Sequence, residues 1–281
     1  MNRSRPPAVA GSFYPSSAGE LRQVIDDCFD TNPLGPKGTR SAVSTVIAGM
    51  VPHAGYVYSG PCAAHLYATL DKSIRRVILL GVNHWVHGHR AALSPWNSWQ
   101  TPSGDVAVNS AINDFLEARS QLLMRDEAAH TQEHSIEVQL PLLQRVLGDF
   151  SFVPISLSSL DSDECIELGA AIAAACQVQP ASGHRTCILA SSDLSHYLPP
   201  KETEELDQLA LERVIALDAA GLVKVVEDKK ITMCGVLPVA VMLYAATALG
   251  ATRARLLMHC TSGDVAPMRN VVGYASVAIE L

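Results

Sequence analysis

Val77-Ile78-Leu79-Leu80-Gly81-Val82-Asn83-His84 decides how the rest of this chain is read. Six residues without a charge are the length of a strand buried on both faces, and they run straight into an asparagine and a histidine. Two other segments repeat the pattern. Val43 to Val51 is nearly all apolar and is followed by Pro52-His53-Ala54-Gly55-Tyr56. Thr186 to Ala190 is followed by Ser191-Ser192-Asp193-Leu194-Ser195-His196. Further strand-like runs lie at Phe152 to Leu157, Arg255 to Cys260 and Val271 to Ile279.

Helical patterns alternate with these strands. Leu21, Val24, Ile25 and Cys28 share one face after a capping-box pattern at Ser17 and Glu20. Pro61 to Leu70, Ala111 to Ala118, His134 to Leu147, Ser162 to Val178, Thr203 to Leu217 and Val236 to Leu249 read as helices. Arg90 to Val108, with a turn at Ser103-Gly104-Asp105, reads as a hairpin, and Thr31 to Ser41 as a surface loop. The expectation is an α/β fold, a mixed and largely parallel central sheet with helices on both faces. With no repeat or long linker in sight, residues 1–281 are expected to form a single domain.

Composition narrows the function classes. The chain has 281 residues, 48% hydrophobic and 17% charged, enough to bury a large core. A formal charge of −7 argues against nucleic acid, whose binding rests on neutralising phosphates. The longest apolar run, Val236 to Leu249, is broken by Pro238 and falls short of the ~20 residues of a membrane span. Seven cysteines with no CxxC pair fit neither a disulfide framework nor a zinc ribbon, so a reducing cytoplasm is expected.

In open α/β sheets ligands bind beyond the carboxyl ends of the strands. His53, His84 and His196, the last with Asp193, all fall there. Any one of them could be a loop residue bonded to backbone; together they suggest one site. Cys234, directly before the Val236 helix, is expected to have a lowered pKa at the helix N-terminus, or else to be a small buried hydrophobe. In His130-Thr131-Gln132-Glu133-His134-Ser135-Ile136-Glu137, His134 and Glu137 would share a helix face, either touching ligand or metal-binding residues or simply forming a polar helix N-terminus. His130 and Glu133 read as an ordinary polar helix start.

Taken in order, these segments resemble the MEMO family. The match runs from Arg5-Pro6-Pro7-Ala8-Val9-Ala10-Gly11-Ser12-Phe13-Tyr14-Pro15 through Pro52 to Gly60 and Gly81 to His84. It continues through Glu133 to Glu137 and Ser191 to Tyr197 to Cys234-Gly235. The resemblance implies a fold like that of the class III extradiol ring-cleavage dioxygenases, which hold iron with two histidines and a glutamate. It implies metal ligation by His53, His84 and Cys234, with Cys234 where those dioxygenases have the glutamate. It implies proton transfer by His196 aided by Asp193. Iron or copper is the implied cofactor, with zinc compatible, because a thiolate shifts preference toward softer ions. Ring cleavage is doubtful with an oxidisable sulfur in that place. The resemblance also implies redox activity and, in prokaryotes, a radical-SAM protein partner, as in the AmmeMemoRadiSam system. Tyr56, Tyr58, Trp85 and Tyr197 flank the candidate ligands and would suit a small molecule. The competing expectation is a non-catalytic adaptor whose pocket takes a peptide or small anionic ligand.

Overall fold

The computed structural model describes residues 3–38, 44–178 and 184–281. Its strands are β1 (Ser4–Arg5), β2 (Val46–Val51), β3 (Ile74–Val82), β4 (Ala91–Leu93), β5 (Ser98–Trp99) and β6 (Val106–Val108). The remaining strands are β7 (Met124–Arg125), β8 (Ser151–Leu157), β9 (Arg185–Ser191), β10 (His196–Leu198), β11 (Arg253–Thr261) and β12 (Val271–Glu280). The helices are α1 (Ala18–Asp30), α2 (Tyr56–Tyr67), α3 (Ser110–Arg119), α4 (Ala128–Thr131) and α5 (Leu140–Leu147). They continue with α6 (Ser162–Gln177), α7 (Pro200–Ile215), α8 (Ala219–Lys229) and α9 (Val236–Ala248).

One sheet joins the strands in the order β1-β5-β6-β8-β3-β9-β2-β12-β10, with β11 on β12, β4 on β8 and β7 on β4. The centre is parallel: β3 pairs with β8 and β9, and β9 with β2. β12 runs antiparallel to β2, and β5 and β6 form the expected hairpin.

Because side chains alternate along a strand, the unbroken apolar runs feed two cores. Ile78 and Leu80 pack with α6 and α9 on one face, alongside Met50, Ile155 and Ile188. Val77 and Leu79 pack with α1, α2 and α5 on the other, alongside Phe152 and Leu189. A chain polar at alternate strand positions could not be covered this way. The fold class is therefore as expected.

Three local expectations fail for identifiable reasons. Ser17 does precede α1, but its side chain makes no cap hydrogen bond, so the capping box does not form. The helix expected over His134 to Leu147 is only a 3₁₀ turn at Glu137–Gln139 followed by α5. The Glu133 carboxylate takes the backbone N–H groups of His134 and Ser135, both at 2.8 Å, offering the backbone an alternative to the helix. α8 occupies residues to which the periodicity assigned no element; only Ala219, Leu222 and Val226 are buried along it. The loop expected over Thr31 to Ser41 is described as far as Gly38, and Val43 lies outside the described residues.

Candidate metal centre

The three strands that carry the histidine-bearing ends are neighbours, in the order β3-β9-β2, and parallel. Their carboxyl ends therefore meet at one edge. β2 delivers His53, β3 delivers His84, and β9 delivers Ser191 and, just beyond it, Asp193 and His196.

A third imidazole joins His53 and His84 from the loop before α5. His134 stacks on His84, with ring centroids 4.7 Å apart, and both stand nearly perpendicular to His53. One ligand atom from each of His53, His84 and His134 lies within 4.8 Å of the others. A glycine makes room for this. A Cβ on Gly81 would lie 2.4 Å from Ile136 Cγ1 and 2.6 Å from Ser135 Oγ, so only a bare backbone lets the loop come this close to β3.

Hydrogen bonds decide which nitrogen each ring presents. The Ser191 hydroxyl donates to the Ser135 carbonyl at 2.7 Å and accepts from Gln139 Nε2 at 2.9 Å. Its proton is thereby committed, so the 2.9 Å contact with His53 Nδ1 must use a proton on the ring. His53 then carries its lone pair on Nε2. Glu133 accepts from His84 Nδ1 at 2.9 Å, which leaves the lone pair of His84 on Nε2 as well. Partners of this kind orient metal-binding histidines and raise their basicity.

Electrostatics agree with that assignment. Burial pushes the Glu133 carboxyl up, but its bond to His84, the two nearby imidazoles and the Ser135 amide outweigh burial and hold it well below the usual carboxylate range. Burial, reinforced by the other imidazoles, drives His53 well below an ordinary histidine, and burial lowers His134 too. Both shifts favour the neutral imidazole, the form that binds metal.

Cys234 reaches this group from the start of α9. Its sulfur lies 3.2 Å from His53 Nε2. Gly235 permits the approach, since a Cβ there would lie 2.4 Å from Ser192 Cβ and 2.5 Å from the Ser191 carbonyl. The expected lowering of the thiol pKa is not found. Burial, with the Asp193 carboxylate beside it, pushes the thiol well up, outweighing any help from the helix N-terminus.

His196 lines the same cavity of about 530 Å³ as His53, His84, His134 and Asp193. It is not oriented by Asp193, as the resemblance implied. Its Nδ1 lies 2.8 Å from the Thr232 carbonyl, and its backbone N–H donates to the Thr232 hydroxyl. The Asp193 carboxylate instead accepts the His53 backbone N–H at 2.7 Å. Burial raises Asp193 to about 6 despite that bond.

The flanking aromatics divide. Tyr58 and Tyr197 line the cavity, and Tyr197 is 74% exposed at its rim. Tyr56 does not line it; it is buried, its hydroxyl donating to the Val138 carbonyl at 2.6 Å. Trp85 faces solvent and bonds the Gln132 carbonyl. Glu137 does not reach the cavity either, being buried against Arg5 and the N-terminal segment.

Sequence reasoning passed over Glu133, Ser191, Thr232 and Phe13, whose ring lies 4.7 Å from that of His134. Position offered a signal only for two of them, Glu133 beside His134 and Ser191 as the last residue of a histidine-delivering strand.

The profile of the Memo family, described as "Memo-like protein", matches residues 5–278. The chain belongs to the Memo-like family. A MEMO1 family protein of Methanopyrus kandleri is 40% identical, over 98% of this chain and 99% of that one. One of Ignicoccus hospitalis is 43% identical, over 99% of each. An uncharacterized protein of Escherichia coli K12 shares the fold, with a TM-score of 0.52 at 15% identity over 83% of this chain and 98% of that one. In this Memo-like chain no described helix is long and apolar enough to cross a membrane.

Proposed function

We propose that this Memo-like protein binds one iron(II) or copper ion at His53, His84 and His134 and acts as an oxidoreductase on a small molecule in the adjoining cavity. The observation that carries the reading is the convergence of three imidazoles whose ligand atoms lie within 4.8 Å of one another. Imidazole suits iron, copper and zinc, and the Cys234 sulfur, 3.2 Å from His53 Nε2, adds a soft donor that favours copper(I) or zinc over harder ions. When bound, the ion would supply Lewis-acid and redox chemistry.

The chain's own residues do the rest. Ser191 and Glu133 hold two rings in the tautomer with Nε2 free. His196 donates its Nδ1 proton to the Thr232 carbonyl, so Nε2 carries the lone pair and accepts a proton from bound substrate. Tyr58, Tyr274 and Phe13 give the cavity aromatic walls. Dioxygenase-type ring cleavage is not proposed, because a thiol stands where those enzymes have a carboxylate. A reducing cytoplasm suits the seven cysteines, all free thiols.

The test is elemental analysis of protein purified anaerobically without added metal or chelator. Stoichiometric iron or copper in the wild type, lost in His84→Ala and His134→Ala, is expected. Metal content unchanged in both variants would remove the proposal. The exposed Tyr197 at the cavity rim favours the adaptor as a second reading. Tight binding of a phosphorylated peptide, without oxygen uptake on any candidate diol, would select it.

A further inference from the structure

Glu137 is fully buried, and its carboxylate is filled entirely by the N-terminal segment. Oε2 accepts from Arg5 at 2.6 Å and from the Ala8 N–H at 2.7 Å. Oε1 accepts from the Val9 N–H at 3.0 Å and the Tyr14 hydroxyl at 2.7 Å. Arg5, also fully buried, places one further Nη1 donor on the Pro6 carbonyl at 3.3 Å and two donors on the loop that carries the site. Nε bonds the His130 carbonyl at 2.8 Å and Nη2 the Glu133 carbonyl at 2.7 Å. Its guanidinium lies 4.1 Å from the centre of the Trp99 ring, which fixes its plane.

A buried guanidinium–carboxylate pair is costly to assemble unless every donor and acceptor is used. Apart from the Trp99 ring and the Pro6 carbonyl, these contacts connect two pieces of chain, residues 5–14 and residues 130–137. The same segment places Phe13 against His134 and accepts the Tyr56 N–H on the Phe13 carbonyl.

We infer that residues 5–14 are a working part of the metal centre: Arg5 and Glu137 are positioning residues that pin the loop presenting Glu133 and His134. The functional consequence rests on the metal-site reading, while the pinning itself does not. Without the clamp the loop has no ladder bonds, since His134 lies outside helix and strand, and it keeps only local ties such as those of Ser135 to Val82 and Ser191. His134 would then leave the ion, and Glu133 would lose its grip on His84.

Two measurements on the full chain test this. In metal-free protein, hydrogen exchange at the His84, His134 and Ser135 amides, all bonded to Glu133, should quicken at least ~10-fold in Arg5→Met and Glu137→Gln. With cobalt(II) as the probe, both variants should bind ~10–100-fold more weakly, with an altered visible spectrum. Leu116→Ala, a cavity in the core on the far face of the sheet, controls for general destabilisation and should change neither readout. Exchange within twofold of the wild type in both clamp variants overturns the inference whether or not metal binds. So does an equal effect in Leu116→Ala. Cobalt affinity unchanged alongside quickened exchange also overturns it. A wild type that binds no cobalt overturns the metal reading instead, and the exchange result still decides the clamp.

Discussion

His53 and His84 reach the centre by a different route from His134, and the contrast shows how this protein divides the labour of building a site. The first two sit two residues beyond the last residues of β2 and β3, the strands on either side of β9, and the ladder pairs Val51 with Ser191 and Leu80 with Ala190. Backbone hydrogen bonds that any sequence could make put them in place. His134 stands in a stretch with no ladder, and apart from the Val138 N–H on its carbonyl the contacts that place it belong to particular side chains: Glu133, Ser135, Phe13 and, through the loop, Arg5 and Glu137. The strand-borne pair should tolerate nearby substitution better than the loop-borne imidazole.

Glu133→Ala should break the contrast most severely. It removes the acceptor for the His84 and His134 backbone N–H groups, the Ser135 N–H and the His84 ring. Buried donors left unpaired cost about 1–3 kcal/mol each, so urea unfolding should show a loss of ~3 kcal/mol or more. A loss below ~1 kcal/mol would mean the loop is held by something else.

Gly81→Ala should come next, because its new Cβ meets Ile136 and Ser135 and pushes the loop off β3. Overpacking of this kind costs about 1–3 kcal/mol, and cobalt affinity should fall while β3 itself survives. Full affinity in that variant would show that the loop adjusts freely.

Ser191→Ala acts on the strand-borne side. His53 Nδ1, the Ser135 carbonyl and Gln139 Nε2 all lose that hydroxyl, yet the strand still carries the ring and Gln139 keeps its bond to the Pro52 carbonyl, so a stability loss of about 1–2 kcal/mol is expected. Metal affinity should drop ~10-fold, at the low end for such partners and less than in Glu133→Ala. An effect equal to that of Glu133→Ala would erase the distinction between the two routes.

The smallest effect concerns His130, whose Nε2 donates to the Ala92 carbonyl at the root of the loop. Burial, with the Arg5 guanidinium adding to it, lowers its pKa from 6.5 to about 3. Below pH ~6.5 the unfolded chain takes up a proton that the folded chain refuses, so stability present at neutral pH is lost as pH falls toward 3. The slope reaches at most ~1.4 kcal/mol per pH unit. His130→Gln should flatten the unfolding free energy across that window, and an unchanged slope would assign the acid sensitivity to other groups.

What was legible in the sequence follows the same division. Runs such as Val77 to Val82 announce their burial through residue type alone, because covering both faces of a strand demands an unbroken apolar series. The order of those runs placed His53, His84, Asp193 and His196 at one edge, and the tertiary structure brings all four to a single cavity. Glu133 was visible as a letter but not as a role, and Glu137 was given a contact with the site that it does not make. Read along the chain they look like the polar start of a helix. Their partners lie far off: Arg5 is buried against the one, and His84 donates to the other.

The amino-acid sequence on its own determined the two-sided sheet and the histidines that its strand ends carry, since periodicity and residue type are local properties. Only the tertiary structure decided that His134 completes the imidazole group, that Thr232 rather than Asp193 orients His196, and that the first residues clamp the loop. Those outcomes depend on hydrogen bonds between groups up to 132 positions apart, as for Arg5 and Glu137. No local pattern encodes which buried donor will find which acceptor once the chain has closed.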